Sequence, residues 1–365
     1  MPTWKGLCYR RFLPGELLQS ARGLNARLAA VKRDLASSDV EWYRYDSIAN
    51  VMHVERLLEE AKLSLPDVIG DGLTADIGCA DGEFSFFLES LGYRVHAVDH
   101  PPSNHNGMRG VQTLRERLGS SIEVHPIDID GRFVLPANHY QAAFVLGVLY
   151  HLKNPFYALE ALSKQVTYCF LSTRILTALP GIKAPIGDLP VAYLLEHDEL
   201  NADNSNFWLL SEAGLRRLLR RTKWEVCAWF TATADRKRKD SDCRAFCLVR
   251  SHYAMAHLEL ISGWHGAEEG GFRWTAGSFS VRRPDASRRM ALDFYLPDHR
   301  AIKLEAAATK GLGAESYTGP GIFRYVKKLP EDATRIDFRV DGCLPPHAGD
   351  RRELGIVVTS LEFEP

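Results

Sequence analysis

The segment "LTADIGCADGEFS" (residues 73–85) places glycines and carboxylates where an apolar strand would turn into a helix. Backbone N–H groups at such a turn favour an anionic or polar ligand group, and glycine lets a ligand approach the backbone closely. Asp76 precedes the turn, and Gly78, Ala80 and Gly82 lie in it. The segment therefore predicts a ligand site, the alternative being a tight turn with no ligand.

The spacing of this segment does not suit a dinucleotide. The phosphate-binding pattern is G-x-G-x-x-G, whereas the chain from Gly78 reads G-C-A-D-G-E, with Ala80 and Glu83 at the second and third glycine positions. Asp76, Asp81 and Glu83 instead give the turn an acidic character, which favours a cationic ligand. S-adenosylmethionine (SAM) carries a sulfonium and an ammonium, so it fits this pattern better than a pyrophosphate.

Two more acids follow the next apolar runs. Asp99 ends "RVHAVD", 23 residues after Asp76, and a carboxylate there can accept the hydroxyls of a ribose. Asp128, in "HPIDID", is expected to meet an adenine amino group, with Asp130 as the alternative. Because open α/β sheets bind ligands at the carboxyl ends of their strands, we expect these acids to lie along one edge.

A histidine follows the fourth strand-like run, in "GVLYHLKNP". His151 titrates near neutrality and can take a proton from an acceptor hydroxyl; alternatively it packs over the cofactor without chemistry. Tyr150 is expected to shape the pocket. Arg174, Asn206 and Trp208 lie in or near the long irregular stretch 174–210, and so long a connection is usually functional, which predicts substrate binding.

An aromatic cluster, "EWYRYDS", precedes the sheet region. Tyr43, with Trp42 and Tyr45, is expected either to cover the sulfonium, since an aromatic face favours a cation, or to pack against the N-terminal helices.

The apolar pattern divides the chain into three parts: 1–65, 66–252 and 258–365. Residues 11–36 and 48–63 have apolar positions at three- and four-residue steps, which predicts two helices. From residue 73 to about 250 strands alternate with helices, which predicts an α/β fold with a parallel sheet covered on both faces and an antiparallel hairpin at one edge. From about 258 onward seven strand-like runs predict an antiparallel β-sandwich of jelly-roll type.

Composition excludes several classes of protein. The 365 residues have a net charge of −1 and a charged fraction of 25%, which argues against a nonspecific polyanion binder. The seven cysteines show no pattern of a zinc site or a disulfide framework, and no metal is predicted. No run reaches the length of a membrane span or of a signal-peptide core, so we expect a cytoplasmic protein. The sequence leaves both a monomer and a homo-oligomer open.

The quoted segments resemble a known family. "ADIGCADGEFSFFLESLGYRVHAVD", "IDID" and "FVLGVLYHLKNPFYALEAL" are similar to motif one and the following strand ends of class I SAM-dependent methyltransferases, over roughly residues 40–250. The resemblance implies a Rossmann-like domain that uses SAM as its cofactor. The residues then expected at the cofactor are Asp76, Gly78, Ala80, Gly82, Asp99, His100, Asp128, Ile129 and Leu146, and those expected at the acceptor are Tyr43, Tyr150, Arg174, Asn206 and Trp208, with His151 catalytic.

The acceptor is addressed by two further resemblances. "EWYRYDSIANVMHVERLL" and "VLYHLKNP" are similar to the tRNA wobble-uridine carboxymethyltransferase branch. "GWHGAEEGGFRWTAGSFSV" and "GDRRELGIVVTSLEF" resemble an accessory β-domain found beside enzymes of surface-polysaccharide synthesis. The second resemblance implies O-methylation of a sugar or glycan intermediate in surface-polysaccharide synthesis, and therefore a small-molecule or glycan acceptor. Modification of an RNA wobble base is the less favoured alternative, and a non-catalytic glycan-binding or scaffold protein is the other.

Overall fold

The chain divides into two compact units, Met1–Ser251 and His252–Pro365. The structure, a computed structural model, describes residues 15–35, 40–131, 133–137, 139–179, 186, 188–200, 203–232, 243–251, 258–268, 272–283, 287–347 and 349–364. The first residues of the predicted helix 11–36 and the predicted boundary at 253–257 lie outside this part of the chain.

The first unit contains helices and strands in alternation. Its helices are α1 (Glu16–Asp34), α2 (Val51–Ala61), α3 (Leu65–Ile69), α4 (Glu83–Ser90), α5 (Arg109–Leu118), α6 (Pro155–Ser163) and α7 (Glu212–Arg221), with 3-10 turns at Ser47–Asn50 and Leu149–His151. Its strands are β1 (Leu73–Ile77), β2 (Arg94–Asp99), β3 (Glu123–Pro126), β4 (Tyr140–Leu146), β5 (Val166–Leu176), β6 (Ala192–Leu194), β7 (Trp208–Ser211), β8 (Trp224–Ala232) and β9 (Arg244–Ser251).

The strands of the first unit form one doubly wound sheet. The order β3-β2-β1-β4-β5 is parallel throughout, and β9 follows as an antiparallel strand between β5 and β8. This confirms the α/β class, the Rossmann-like fold and the antiparallel edge hairpin. The stretch 174–210 is less irregular than expected, because β7 pairs with the end of β5, and β6 pairs with β7.

Apolar residues cover both faces of this sheet, as its parallel strands require. On β4, Ala142 and Phe144 lie in one buried cluster, and Ala143 and Val145 lie in the other. The first cluster also contains the inner positions of α1 and α2. The predicted N-terminal segment 1–65 therefore packs, in its described part, as a layer of the same unit. No helix in the described part of the chain is both long and apolar enough to cross a bilayer.

The second unit is antiparallel, as predicted. Its described strands are β10 (Leu260–Ala267), β11 (Arg273–Arg282), β12 (Arg289–Leu296), β13 (Ala301–Ala307), β14 (Gly311–Thr318), β15 (Gly321–Lys328), β16 (Arg335–Asp341) and β17 (Val357–Glu364). They alternate buried and exposed residues, as β13 does at every position from Ala301 to Ala306.

The sandwich expected for the second unit differs in one respect. Hydrogen bonds join the described strands into a single eight-stranded sheet, whereas a sandwich has two. The cause is β11, which changes partner along its length: Arg273 and Trp274 pair with β17, and Ser278–Arg282 pair with β16. Trp264 is partly buried and packs edge-on against Phe279 of the core of this unit.

Candidate cofactor and acceptor site

The turn between β1 and α4 is held by protein contacts on both sides. Gly78 and Gly82 have φ of 74° and 84°, a region that disfavours other residues. A Cβ on Gly78 would lie 2.4 Å from Val148 Cγ2, and one on Gly82 would lie 2.6 Å from Val111 Cγ2. Packing alone therefore accounts for both glycines, and the case for a ligand depends on the acids around them.

Asp99 organises this turn from the end of β2. Its Oδ2 accepts hydrogen bonds from Ala80 N at 2.9 Å and Asn104 Nδ2 at 2.9 Å, and its Oδ1 accepts one from His100 N at 2.8 Å. Burial raises the pKa of Asp99, and the same hydrogen bonds oppose the rise. Since a carboxylate oxygen has two acceptor positions, Oδ1 can take one more donor, such as a ribose hydroxyl.

Asp76 is the most deeply buried acid of the site. It lies on β1 with 5% of its surface exposed, and Ser85 Oγ donates a hydrogen bond to its Oδ2 at 2.6 Å. Burial, with repulsion from Asp99 and Glu83, raises the pKa of Asp76 to about 7. Among the described residues, no cationic side chain forms an ion pair with it. A buried acid in this state is suited to a cationic ligand.

Asp81 and Glu83 do not present free negative charge to a ligand, contrary to the sequence-based argument. Lys32 Nζ, from α1, lies 2.7 Å from Asp81 Oδ2 and 2.5 Å from Glu83 Oε1. Burial alone would lower the pKa of Lys32, but the two carboxylates raise it above its ordinary value. Asn106 Nδ2 donates to Asp81 Oδ1 at 2.7 Å. These acids therefore join α1 to the turn.

The aromatic cluster splits between the two roles predicted for it. Tyr43 N donates to Asp81 Oδ2 at 2.9 Å, and its hydroxyl accepts from His105 N at 2.8 Å. Burial is the main cause that raises the pKa of Tyr43 to about 12. Trp42 packs against the core instead. Tyr43 thus lies beside the turn after β1, and its contact with a cofactor stays a prediction, while Trp42 follows the packing alternative.

His151 is oriented by the loop before β7. Its Nδ1 lies 3.0 Å from Ser205 O and 2.9 Å from Ser205 Oγ, and that hydroxyl donates to Asp203 Oδ1 at 2.6 Å. Because the hydroxyl proton is used by Asp203, Nδ1 must carry a hydrogen, and Nε2 has the free lone pair. Burial lowers the pKa of His151, so the ring is neutral at pH 7 and able to accept a proton.

Tyr150 and two arginines lie next to this histidine. The guanidinium carbons of Arg174 and Arg244 are 5.3 and 5.6 Å from the Tyr150 ring centre, and the two arginines are register partners on β5 and β9. The Tyr150 and His151 rings are 4.2 Å apart. Two guanidinium groups therefore lie beside Tyr150 and His151, whereas the turn after β1 is lined by the acids Asp76 and Asp99.

The two acids predicted for the adenine have different surroundings. Asp130 accepts hydrogen bonds from Lys153 N and Asn154 N, both at 2.7 Å, so its carboxylate fastens the loop after β4. Asp128 Oδ1 accepts from Asp130 N at 2.9 Å and Gly131 N at 3.2 Å, and its side chain is exposed. Of the two, Asp128 keeps more acceptor capacity for a ligand.

The other predicted residues pack against the core or hydrogen-bond to neighbouring loops. Ile129 and Leu146 are partly buried against the two core clusters. Asn206 Nδ2 donates to Leu200 O and Asp203 O, and Trp208 Nε1 donates to Lys153 O at 3.2 Å. Asn206 therefore closes its own loop and Trp208 joins β7 to the loop after β4, while their contact with an acceptor stays a prediction.

The sheet brings the two groups of residues to one place. The turn after β1 touches the turn after β4 through Gly78 and Val148, and β1 lies between β2 and β4, where the strand order reverses. Such a switch point is the usual ligand site of an open α/β sheet. Sequence patterns gave no sign of three residues that the structure brings to this region, Lys32, Asn104 and Ser205. Lys32 follows Val31, a position of the apolar stripe, and it gave no signal because its partners are distant in sequence.

Comparisons with known proteins give likeness of fold only. No family model matches the chain, and no curated protein matches it. Among solved structures, the N-terminal domain of EvdMO1, determined with SAH and D-fucose, is 16% identical, with 61% of this chain and 96% of that chain covered and a TM-score of 0.43. The [4+2]-cyclase SpnF is 11% identical, with 64% and 96% covered and a TM-score of 0.40. A SAM-dependent methyltransferase from Mesorhizobium loti is 16% identical, with 51% and 93% covered and a TM-score of 0.39. At these values the likenesses do not assign a function.

Proposed function

We propose that the first unit is a SAM-dependent methyltransferase that methylates a hydroxyl oxygen of a sugar or glycan intermediate of surface-polysaccharide synthesis. The observation that carries the proposal is the buried acid Asp76, which has no cationic partner among the described residues and lies beside Asp99 at the switch point of the sheet. Leaving a carboxyl in this state costs stability, and a cationic ligand removes that cost.

The residues at the turn fit SAM in charge and in hydrogen-bonding capacity. Asp76 would hold its cationic amino-acid part, Asp99 would accept a ribose hydroxyl at Oδ1, and Asp128 would accept the adenine amino group. Ile129 and Leu146 would provide apolar walls. When bound, SAM supplies an electrophilic methyl group, so the protein itself needs only to position the acceptor and remove its proton.

His151 is the proton acceptor in this proposal. Its Nδ1–H donates to Ser205, which leaves Nε2 to receive the proton that the acceptor hydroxyl loses. The lowered pKa keeps the ring unprotonated at neutral pH. Asp203 acts through Ser205 and fixes the tautomer rather than taking the proton itself.

The class of acceptor is inferred from two features. Arg174 and Arg244 lie beside Tyr150 and offer guanidinium N–H donors, which favour a polar acceptor rich in hydroxyl groups, such as a sugar. The resemblance of "GWHGAEEGGFRWTAGSFSV" and "GDRRELGIVVTSLEF" to accessory domains of surface-polysaccharide enzymes favours a glycan intermediate.

The test is methyl transfer from labelled SAM by the full chain, with fractionated cell extracts as acceptors. We expect label in sugar phosphates or lipid-linked glycans, with transfer abolished in Asp99→Ala and retained in Asp71→Asn, a matched change at an exposed acid of the same unit. Label in RNA would contradict a sugar or glycan acceptor and would support modification of an RNA wobble base. Absence of SAM binding at millimolar concentration would revive the non-catalytic alternative.

A further inference from the structure

Two histidines and a glutamate meet on neighbouring strands away from the turn. Glu123 and His125 are two residues apart on β3, so their side chains share one face of the sheet. On the adjacent strand β2, His96 is the register partner of Glu123, and Val98 is the register partner of His125. Among the described residues, these three form the group whose ligand atoms all lie within 4.8 Å of one another.

The distances within this group suit ligands of one ion better than hydrogen bonds. Glu123 Oε2 lies 3.5 Å from His96 Nε2 and 3.4 Å from His125 Nε2, whereas a good N–H···O hydrogen bond spans 2.7–3.2 Å. Two ligands bound at 2.0–2.1 Å to a tetrahedral Zn²⁺ are about 3.3–3.4 Å apart. His125 Nε2 is also buried and has no hydrogen-bond partner among the described residues.

A hydrogen bond at Nδ1 orients the imidazole ring of His96, as is usual for a metal-binding histidine. Its Nδ1 lies 2.8 Å from Tyr140 Oη, which also accepts a hydrogen bond from Ala137 N at 3.2 Å. If Nδ1–H donates to this hydroxyl, Nε2 keeps its lone pair and faces Glu123 and His125. An outer hydrogen bond of this kind orients most metal-binding histidines.

We propose that His96, Glu123 and His125 bind a divalent transition-metal ion of the zinc type. Two imidazoles and one carboxylate match the preferences of Zn²⁺ and leave a fourth position for water. Glu123 is well exposed, with 64% of its side chain accessible, so the ion can enter from solvent. The ion would connect β2 to the edge strand β3 through His96, which is three residues before Asp99. This proposal does not depend on the proposed methyl transfer.

The direct test is titration of chelator-treated full chain with Zn²⁺ by calorimetry. We expect saturable binding of one ion at this site, in the micromolar range or tighter. Glu123→Gln and His125→Ala should each weaken it more than tenfold, since loss of an outer partner alone costs 10–100-fold. Tyr140→Phe tests that outer role and should weaken binding about tenfold. The matched controls, Glu116→Gln and His299→Ala, change exposed residues outside the group.

Co²⁺ distinguishes this site from the cysteines. Co²⁺ that is bound by imidazole and carboxylate groups absorbs visible light but lacks the near-ultraviolet bands that thiolate ligands produce. Absence of saturable Zn²⁺ binding would overturn the proposal, as would thiolate bands or equal affinity in the wild type, Glu123→Gln and His125→Ala. Circular dichroism of each variant confirms that its fold is retained, and the two ligand changes are at partly exposed positions.

Discussion

The two units hold their charges in different ways. In the first unit Asp76 is buried on a strand, and burial raises its pKa to about 7. In the second unit Asp350 is partly exposed, and hydrogen bonds from Arg352 lower its pKa to about 2. Arg352 also pairs with Glu268 at 2.8 Å. Among the described residues, Asp76 therefore has no cationic partner in the interior, whereas Asp350 is paired with an arginine near the surface.

Buried charge shows the same contrast. Arg283 in the second unit is 9% exposed, and its guanidinium donates to backbone carbonyls, among them Pro330 O at 2.6 Å and Ala333 O at 2.8 Å. Its donors are therefore satisfied within the fold. A cationic ligand would stabilise an acid whose pKa is raised by burial, whereas charges that are already paired or hydrogen-bonded gain little from a ligand.

The largest effect is expected at Lys32. Lys32→Met leaves Asp81 and Glu83 buried without their cation, and removal of one partner of a buried pair costs about 3–5 kcal/mol. Lys327→Met is the matched change in the second unit, where Glu315 is half exposed, and should cost less than ~1 kcal/mol. Denaturant unfolding, with hydrogen exchange to locate the loss, measures both. Equal losses of unfolding free energy in Lys32→Met and Lys327→Met would contradict the expectation that the buried pair of the first unit contributes more to stability than the half-exposed pair of the second.

The next largest effect is expected in turnover. His151→Ala removes the proton acceptor, so turnover should fall by about a hundredfold, while SAM affinity stays within about twofold because the ring does not hold the cofactor in this proposal. In the wild type, turnover should rise with pH through a midpoint below 6.5, the direction set by the lowered pKa of His151. Near-normal turnover of the variant would remove His151 from the mechanism.

A smaller effect concerns the pH dependence of cofactor binding. A cationic ligand selects the ionised form of Asp76, so with a pKa of about 7 the affinity for SAM should rise about tenfold from pH 6 to pH 8 and then level off. Calorimetry at each pH measures this change. Asp76→Asn should bind weakly and without that dependence; an equally steep rise in the variant would assign the proton to another group.

The same carboxyl affects the stability of the ligand-free protein with a definite sign. A folded pKa above the unfolded value of 3.8 means that the folded state holds the proton more tightly, so stability decreases as pH rises from about 4 to 7. Asp76→Asn should therefore have a higher Tm than the wild type at pH 8, and the difference should vanish near pH 4. A lower Tm of Asp76→Asn than of the wild type at pH 8 would show that burial does not raise the pKa of Asp76.

The smallest effect is expected at Asp350. Because its lowered pKa comes from an ion pair that solvent partly screens, Asp350→Asn should change Tm by no more than ~2 °C at pH 7 and leave SAM affinity unchanged. A thermal scan with a parallel cofactor titration checks both. A loss of cofactor affinity would show that the second unit contributes to the site.

The sequence predicted what depends on local pattern. Helix α5 falls in the region where alternating strands and helices were predicted, and its apolar residues at three- and four-residue steps and the following Gly119 are both local signals. The position of Asp99 at the end of β2 was also predicted, since a strand that ends in an acid before a turn is visible in the residues.

The missed features depend on pairing between distant segments. Lys32 is on a helix whose apolar stripe gives no sign that this side chain reaches residues 81 and 83. The orientation of His151 by Ser205 arises across 54 residues. His96 and His125 each fit the alternation of side chains between the two faces of their own strand. The register of β2 against β3 brings the two histidines together, and this register cannot be predicted from either strand alone.

Titration of S-adenosylhomocysteine into the full chain by calorimetry tests the central claim most directly. The account predicts one site per chain, with affinity reduced at least ~10-fold in Asp99→Asn because charge-assisted hydrogen bonds are lost, and unchanged affinity in Asp350→Asn. Absence of binding to the wild type, or equal binding to the wild type and Asp99→Asn, would contradict a cofactor site at the ends of β1 and β2.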